Sequence, residues 1–161
     1  MDARFEDAED RPLRLHALDA EDLSVVSALV QDAVATAKDL AWLRKKRRFA
    51  LFLNRFRWED ADAARRAGRP FERVRTALLV EHAVNVRASG IDPADKEQTV
   101  SVLGLAFDAS PDAEDPSGKL RVLLAGDGEI EITVEFLEVR AEDVTRPWIS
   151  PSGKAPSHPG A

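Results

Sequence analysis

The densest group of side chains able to bind a ligand is a block of five consecutive cations: Arg44, Lys45, Lys46, Arg47 and Arg48. It lies within residues 39–58, DLAWLRKKRRFALFLNRFRW, between two apolar runs. Two apolar runs around a short polar segment are typical of a β-hairpin, so we predict that the cations form a hairpin tip. Such a tip can contact phosphates, an anionic membrane or an acidic protein surface. Solvation of a turn, or attraction to the protein's own acids, would explain the block equally well.

The charge along the chain is unevenly distributed. Residues 41–76 hold 12 Lys and Arg against 4 acids, a net charge of +8, whereas the remainder carries −14 and the whole chain −6. The acidic total argues against a general nucleic-acid binder, and the basic segment indicates where an anionic partner would bind. The predicted ligand-binding residues are Arg44, Lys45, Lys46, Arg47, Arg48, Arg55, Arg57 and His82.

The three histidines, His16, His82 and His158, raise the question of a metal or of acid–base chemistry. No HxH or HExxH pair is present, so we predict no metal site and no cofactor. His82 faces inward if the strand around it is regular, and it is then most simply a buried or half-buried histidine with a hydrogen-bond partner. A role for His82 as acid or base is the less favoured alternative.

Several other chemistries are excluded or unsupported. Without cysteine the chain has no disulfide, no thiolate metal site and no cysteine nucleophile. It has neither a GxSxG elbow nor a GxxxxGK[ST] phosphate loop, and no catalytic residue is predicted. The N-terminus, MDARFEDAEDRP, is acidic rather than basic and apolar, and no apolar run is long enough to span a bilayer. We therefore expect a cytoplasmic protein that does not contact a membrane.

The hydrophobic pattern predicts one helix and several strands that must position these residues. After a short strand at residues 13–17, Asp19 caps a helix that we expect to end near Val34. Residues 71–89 alternate as one long strand, bent or bulged near Glu81 and His82. A strand over residues 99–107 and a hairpin turning at residues 126–128 follow. The polar stretch at residues 59–70 is expected to form one or two helical turns.

These elements predict an α+β fold, mainly an antiparallel sheet of about six or seven strands with one main N-terminal helix packed on it. The sequence leaves open whether the sheet is open, rolled or closed into a barrel. Residues 1–12 are expected to be a mobile acidic arm, residues 13–146 one domain, and residues 147–161 a tail rich in Pro, Ser and Gly.

Three segments together resemble a bacterial family known as domain of unknown function 2948. They are LHALDAEDLSVVSALVQDAV, DLAWLRKKRRFALFLNRFRWE and GDGEIEITVEFLEVRAEDV, and the resemblance covers most of residues 13–148. It implies membership of a cytosolic family without an assigned reaction, and it supplies no catalytic residues.

Three functions remain as hypotheses, and the oligomeric state is open. The leading one is a non-enzymatic binding or regulatory module that recognises a protein or a small anionic ligand near residues 39–58. The second is an enzyme or accessory enzyme that acts on a small anionic metabolite. Arg55, Arg57 or Arg75 would bind the metabolite, and His82 would serve as acid or base. The third is a weak nucleic-acid binder, in which Trp42, Phe56 and Trp58 offer stacking surfaces.

Overall fold

The computed structural model describes residues 12–151 and 155–156. Within them the chain forms two α-helices, α1 (Ala20–Leu29) and α2 (Trp58–Ala67). The strands are β1 (Arg14–Ala17), β2 (Val34–Thr36), β3 (Leu40–Leu43), β4 (Arg48–Phe56), β5 (Glu72–Glu81), β6 (Ala83–Ser89), β7 (Thr99–Ala109), β8 (Gly118–Leu124), β9 (Glu129–Val134), β10 (Val139–Asp143) and β11 (Trp148–Ile149).

All strand pairings are antiparallel, in the order β1-β10-β5-β4-β2-β7-β8-β9-β6, with β3 added to β4 and β11 to β5. The α+β class with a dominant antiparallel sheet is confirmed. The predicted strand number was wrong, since this open sheet has 11 strands. Strands of two to five residues, such as β2, β10 and β11, are too short to give a clear alternation in the sequence.

Helix α1 packs on the sheet through Leu23, Val26 and Leu29, which are buried in the main core. The predicted cap is confirmed, because the side chain of Asp19 accepts a hydrogen bond from the backbone N–H of Asp22 at 2.8 Å. The predicted end near Val34 was too late. The helix ends at Leu29, and Val34 instead begins β2, where it pairs with Asn54 and Ser101.

The predicted hairpin exists, but it is shorter than residues 39–58. Strands β3 and β4 pair from Leu40 opposite Leu51 to Leu43 opposite Arg48, and beyond the hairpin Asn54 of β4 pairs with β2. Along its other edge, β4 pairs over its whole length with β5. Trp58 lies outside the hairpin as the first residue of α2. The one or two helical turns expected at residues 59–70 are present as α2, a ten-residue helix, so the structure has two helices rather than one main helix.

The long strand predicted at residues 71–89 is divided at His82, as expected. β5 ends at Glu81, His82 has a positive φ of 57°, and β6 begins at Ala83. Of the predicted arm, residues 1–11 lie outside the described residues, as do residues 152–154 and 157–161 of the predicted tail, including His158. Trp148 and Ile149 of that tail form β11.

Candidate functional site: a cationic tip beside two histidines

The turn between β3 and β4 is a compact cationic tip, which we define as residues 44–48. Arg44–Lys46 form one turn of 3-10 helix, and Arg47 closes it in the left-handed conformation with φ 50°. The side chains of Arg44, Lys45 and Lys46 are exposed, and they make no ion pair or hydrogen bond with any residue that the structure describes. Three free cations therefore project from the end of the hairpin.

The other two cations of the tip are engaged by the protein's own acids. Arg47 Nη1 lies 2.6 Å from Glu135 Oε1, in a pair that is largely exposed. Arg48 donates two hydrogen bonds to Glu81, from Nε to Oε1 at 2.7 Å and from Nη2 to Oε2 at 3.0 Å. This bidentate pair joins β4 to β5. Of the five predicted residues, Arg44, Lys45 and Lys46 thus remain available to a partner.

Backbone hydrogen bonds fix the tip beside His82. The N–H of Ala83 donates to the carbonyl of Arg47 at 2.9 Å, and the N–H of Glu135 donates to the carbonyl of His82 at 3.0 Å. The positive φ of His82 is uncommon outside glycine, although histidine is one of the residues that adopt it more readily. The corner from β5 into β6 therefore lies directly against the tip.

His82 belongs to a histidine–glutamate cluster, which we define as His16, His82 and Glu138. His82 Nε2 lies 2.7 Å from Glu138 Oε1, and His16 Nε2 lies 2.7 Å from Glu138 Oε2. The side chains of His16 and His82 are 46% and 32% exposed, and that of Glu138 is 15% exposed. The His82 ring also stacks on Phe136, with centroids 3.8 Å apart. The expectation of a half-buried His82 with a hydrogen-bond partner is confirmed.

The Glu138 carboxylate is held ionised by this arrangement. Its hydrogen bonds with His82 and then His16, with a further contribution from Arg140, lower its pKa from 4.5 to about 2. An ionised carboxylate only accepts hydrogen bonds, so each Nε2 must carry the hydrogen. In a neutral ring the acceptor is then Nδ1. The cluster therefore fixes both imidazoles in one tautomer and orients them.

Arg55 and Arg57 lie far from the tip, at the opposite end of β4. Nine extended residues span about 25–30 Å. The side chain of Arg55 is fully buried and donates to Glu59, Asp143 and Thr76. Burial alone would raise the pKa of Glu59, but its pairing with Arg55 brings that pKa below the usual value. Arg55 thus acts within a buried ionic network and is not accessible to a ligand.

Arg57 and Arg75 are also engaged internally. Arg57 is nearly buried and pairs with Glu72, while Arg75 Nη2 lies 3.0 Å from Asp39 Oδ1 and stacks over the ring of Phe52. Arg57 lines one wall of a cleft of about 420 Å³. The other lining residues are Pro12, Asp143, Val144, Thr145, Arg146 and Pro147. The structure therefore separates the predicted site residues into the tip with His82 and the distant Arg55 and Arg57.

Sequence reasoning missed three contributors to this site, namely His16, Glu138 and Phe136. They are brought to His82 by the pairing of β1 with β10, where His16 lies opposite Arg140, and of β10 with β5. His16 and Glu138 are 122 positions apart in the sequence, and His82 and Glu138 are 56 positions apart. No local pattern indicates them, although β1 itself was predicted.

The described residues contain no group of three or more His, Asp or Glu side chains arranged to hold a metal ion. Neither α1 nor α2, the two α-helices in the described part of the chain, has the length and apolar character needed to cross a bilayer. A family model described as "Protein of unknown function (DUF2948)" matches residues 13–158. No curated protein and no solved structure gives a significant match.

Proposed function

The chain belongs to the DUF2948 family, whose function is unknown, and we propose that it is a cytosolic binding or regulatory module that recognises an acidic protein surface through its cationic tip. The observation that supports this proposal most directly is the group Arg44, Lys45 and Lys46, three exposed cations that have no partner within residues 12–151 and 155–156. Most other cations of the basic segment are already neutralised by acids of the same chain.

The shape of the tip favours a macromolecular partner over a small ligand. The three cations are exposed on the turn at the end of a hairpin, whereas small-molecule sites are usually concave and largely apolar. Exposed charges of this kind accelerate encounter with an oppositely charged surface and give salt-sensitive affinity. The His82–Phe136 stack beside the tip adds a partly exposed aromatic surface that a partner can cover.

The two other hypotheses have less support. The enzyme hypothesis placed Arg55, Arg57 or Arg75 beside His82, but these arginines and His82 lie toward opposite ends of β4 and β5 and the arginines have acidic partners. For nucleic acid, Phe56 is fully buried and Trp58 donates from its indole to the carbonyl of Gln31, so neither is a free stacking surface. We therefore keep the acidic protein partner as the conclusion.

The test compares binding of fluorescently labelled poly-L-glutamate to the intact protein and to two triple variants. We expect Arg44→Ala, Lys45→Ala and Lys46→Ala together to weaken binding about tenfold or more, since each exposed charge contact contributes on the order of 0.2–1 kcal/mol. The matched control removes three exposed cations elsewhere, Arg14, Arg66 and Lys96. It changes the net charge equally and should retain most of the affinity.

Equal losses in the two triple variants would show that overall charge, and not the tip, determines binding. Tighter binding of a single-stranded oligonucleotide than of poly-L-glutamate, lost in the tip variant, would favour the nucleic-acid hypothesis instead. Fluorescence anisotropy at low and at physiological salt measures all of these affinities, and circular dichroism verifies that each variant is folded.

A further inference from the structure

Strand β6 forms an open edge of the sheet. It is the last strand in the pairing order and pairs only with β9, and no strand of the described residues lies on its other side. Asn85, Arg87, Ala88 and Ser89 are exposed, and Val84 is 47% exposed. On β9, Ile130, Ile132 and Val134, which lie opposite Ala88, Val86 and Ala83, are fully buried. The hydrophobic core therefore includes β9, whereas most of β6 is exposed to solvent.

The two ends of the sheet are protected to different degrees. At the other end, β1 has four residues, begins with Arg14 and is preceded by Pro12. Prolines, charges and short length are features that prevent an edge strand from pairing with another chain. β6 has seven residues, AVNVRAS, with no proline, lysine or acid. Its one irregularity is a register shift between Ala83 and Asn85, which leaves residues 85–89 regular.

We propose that β6 pairs antiparallel with β6 of a second copy of this chain, about a two-fold axis at Val86. A two-fold pairing must be self-complementary, because the same strand supplies both sides. Centred on Val86, it places Val86 opposite Val86 of the partner subunit and Asn85 opposite Arg87 of the partner subunit. Centred on Arg87, it would place two guanidinium groups directly opposite each other, which is destabilising.

The charged and polar groups of β6 fit this register. Arg87 is its only charged residue, and neither Arg87 nor Asn85 has a side-chain partner among the described residues. The Asn85 amide oxygen can accept a hydrogen bond from the Arg87 guanidinium. Both polar side chains of the strand interior are thus satisfied by the same residues of the second copy. This reciprocity favours a second copy over an unrelated strand.

The apolar side of β6 also gains from the pairing. Val86 and Ala88 lie opposite Ile132 and Ile130 in the register with β9, so they share the core-facing side of the sheet. Val86 already packs on the core and is half-buried. A second strand paired with β6 would cover the exposed parts of Val86 and Ala88. One pair of short strands buries less than a standard interface of roughly 1,200–2,000 Å², so we expect a weak, concentration-dependent dimer.

Because the chain has no cysteine, a single introduced thiol reports the register without interference. Opposite residues of an antiparallel pair have Cα atoms about 4.5–5.5 Å apart, within the range of a disulfide. Val86→Cys should therefore form a disulfide-linked dimer under mild oxidation. Ala88→Cys lies on the same face but about 13 Å from its counterpart in this register. Ala88→Cys and Arg14→Cys on β1 should cross-link only slowly.

Cross-linking of Ala88→Cys as fast as Val86→Cys, or no excess of Val86→Cys over Arg14→Cys, would overturn the proposal.

A second pair of variants does not depend on a thiol. Asn85→Asp places a carboxylate opposite Arg87 and should tighten self-association in sedimentation equilibrium, whereas Asn85→Lys places a cation there and should weaken it. The same shift for both variants, or none, would also contradict the pairing, and circular dichroism verifies that both variants are folded.

Discussion

Glu138 shows how one carboxylate can organise the surface beside the tip. It binds a histidine from β1 with one oxygen and the histidine at the β5–β6 corner with the other, at 2.7 Å each. Its carboxylate therefore accepts hydrogen bonds from both histidines and links the edge strand β1 to the corner between β5 and β6. Its low pKa is the electrostatic consequence of these hydrogen bonds.

We predict that Glu138→Gln removes an acid-sensitive part of the stability. The carboxyl pKa falls from 4.5 unfolded to about 2 folded, so its contribution is present above pH 4.5 and is lost as the pH falls through 2. At neutral pH the variant should be less stable by about 1–3 kcal/mol, because an amide has one acceptor oxygen for two ring donors. Between pH 4.5 and 2 it should lose less stability than the native protein.

Urea unfolding at a series of pH values measures this difference. Glu97→Gln is the matched control, because Glu97 pairs with Lys38 at an exposed position and its loss should cost less than about 0.5 kcal/mol. Parallel stability curves for native protein and Glu138→Gln over the acid range would mean that the histidine contacts do not hold the carboxylate ionised.

At the scale of elements, the sequence predicted what is local and missed what is distant. Alternation identifies the long strand bent at His82 and the hairpin around Gly126 and Asp127, because side-chain direction repeats every second residue. The same alternation predicts no partner strand. The sequence therefore did not show that His16 and Glu138 lie beside His82. For the same reason Arg55 was predicted to bind a ligand, although it is buried and paired with acids of α2 and β10.

Arg55 connects three elements, and its removal should be costly. It lies at the end of β4 and pairs with Glu59 on α2 and Asp143 on β10. Arg55→Ala would remove the buried cation from Asp143 and would leave Glu59 with the more distant Arg57, 3.8 Å away, so we expect a loss of about 3–5 kcal/mol in the free energy of unfolding. Arg65→Ala, at an exposed arginine of α2, should cost less than about 0.5 kcal/mol.

Thermal and urea unfolding of these two variants provides the measurement. A small effect of Arg55→Ala, comparable with that of Arg65→Ala, would indicate that Arg55 is not essential to the network and that its position could tolerate a binding role.

For the whole molecule, ion pairs formed on folding neutralise much of the positive charge that the sequence concentrates in residues 41–76. The basic segment has a net charge of +8, yet most of its arginines already pair with acids. Arg48, Arg55 and Arg75 pair with acids outside the segment, whereas Arg57 and Arg69 pair with acids inside it. At the tip, Arg44, Lys45 and Lys46 have no partner in the part of the chain that the structure describes. A linear count of charges overstates the binding surface because it does not include the acids that folding brings nearby.

Recognition of an acidic partner by the tip is tested most directly by an NMR titration of the isotopically labelled full chain with poly-L-glutamate at low salt. We expect the largest amide shifts at residues 43–48 and His82, and their reversal when salt screens the charges. Shifts concentrated around the cleft at Arg57 and Arg146, or spread evenly over the exposed cations, would contradict recognition at the tip.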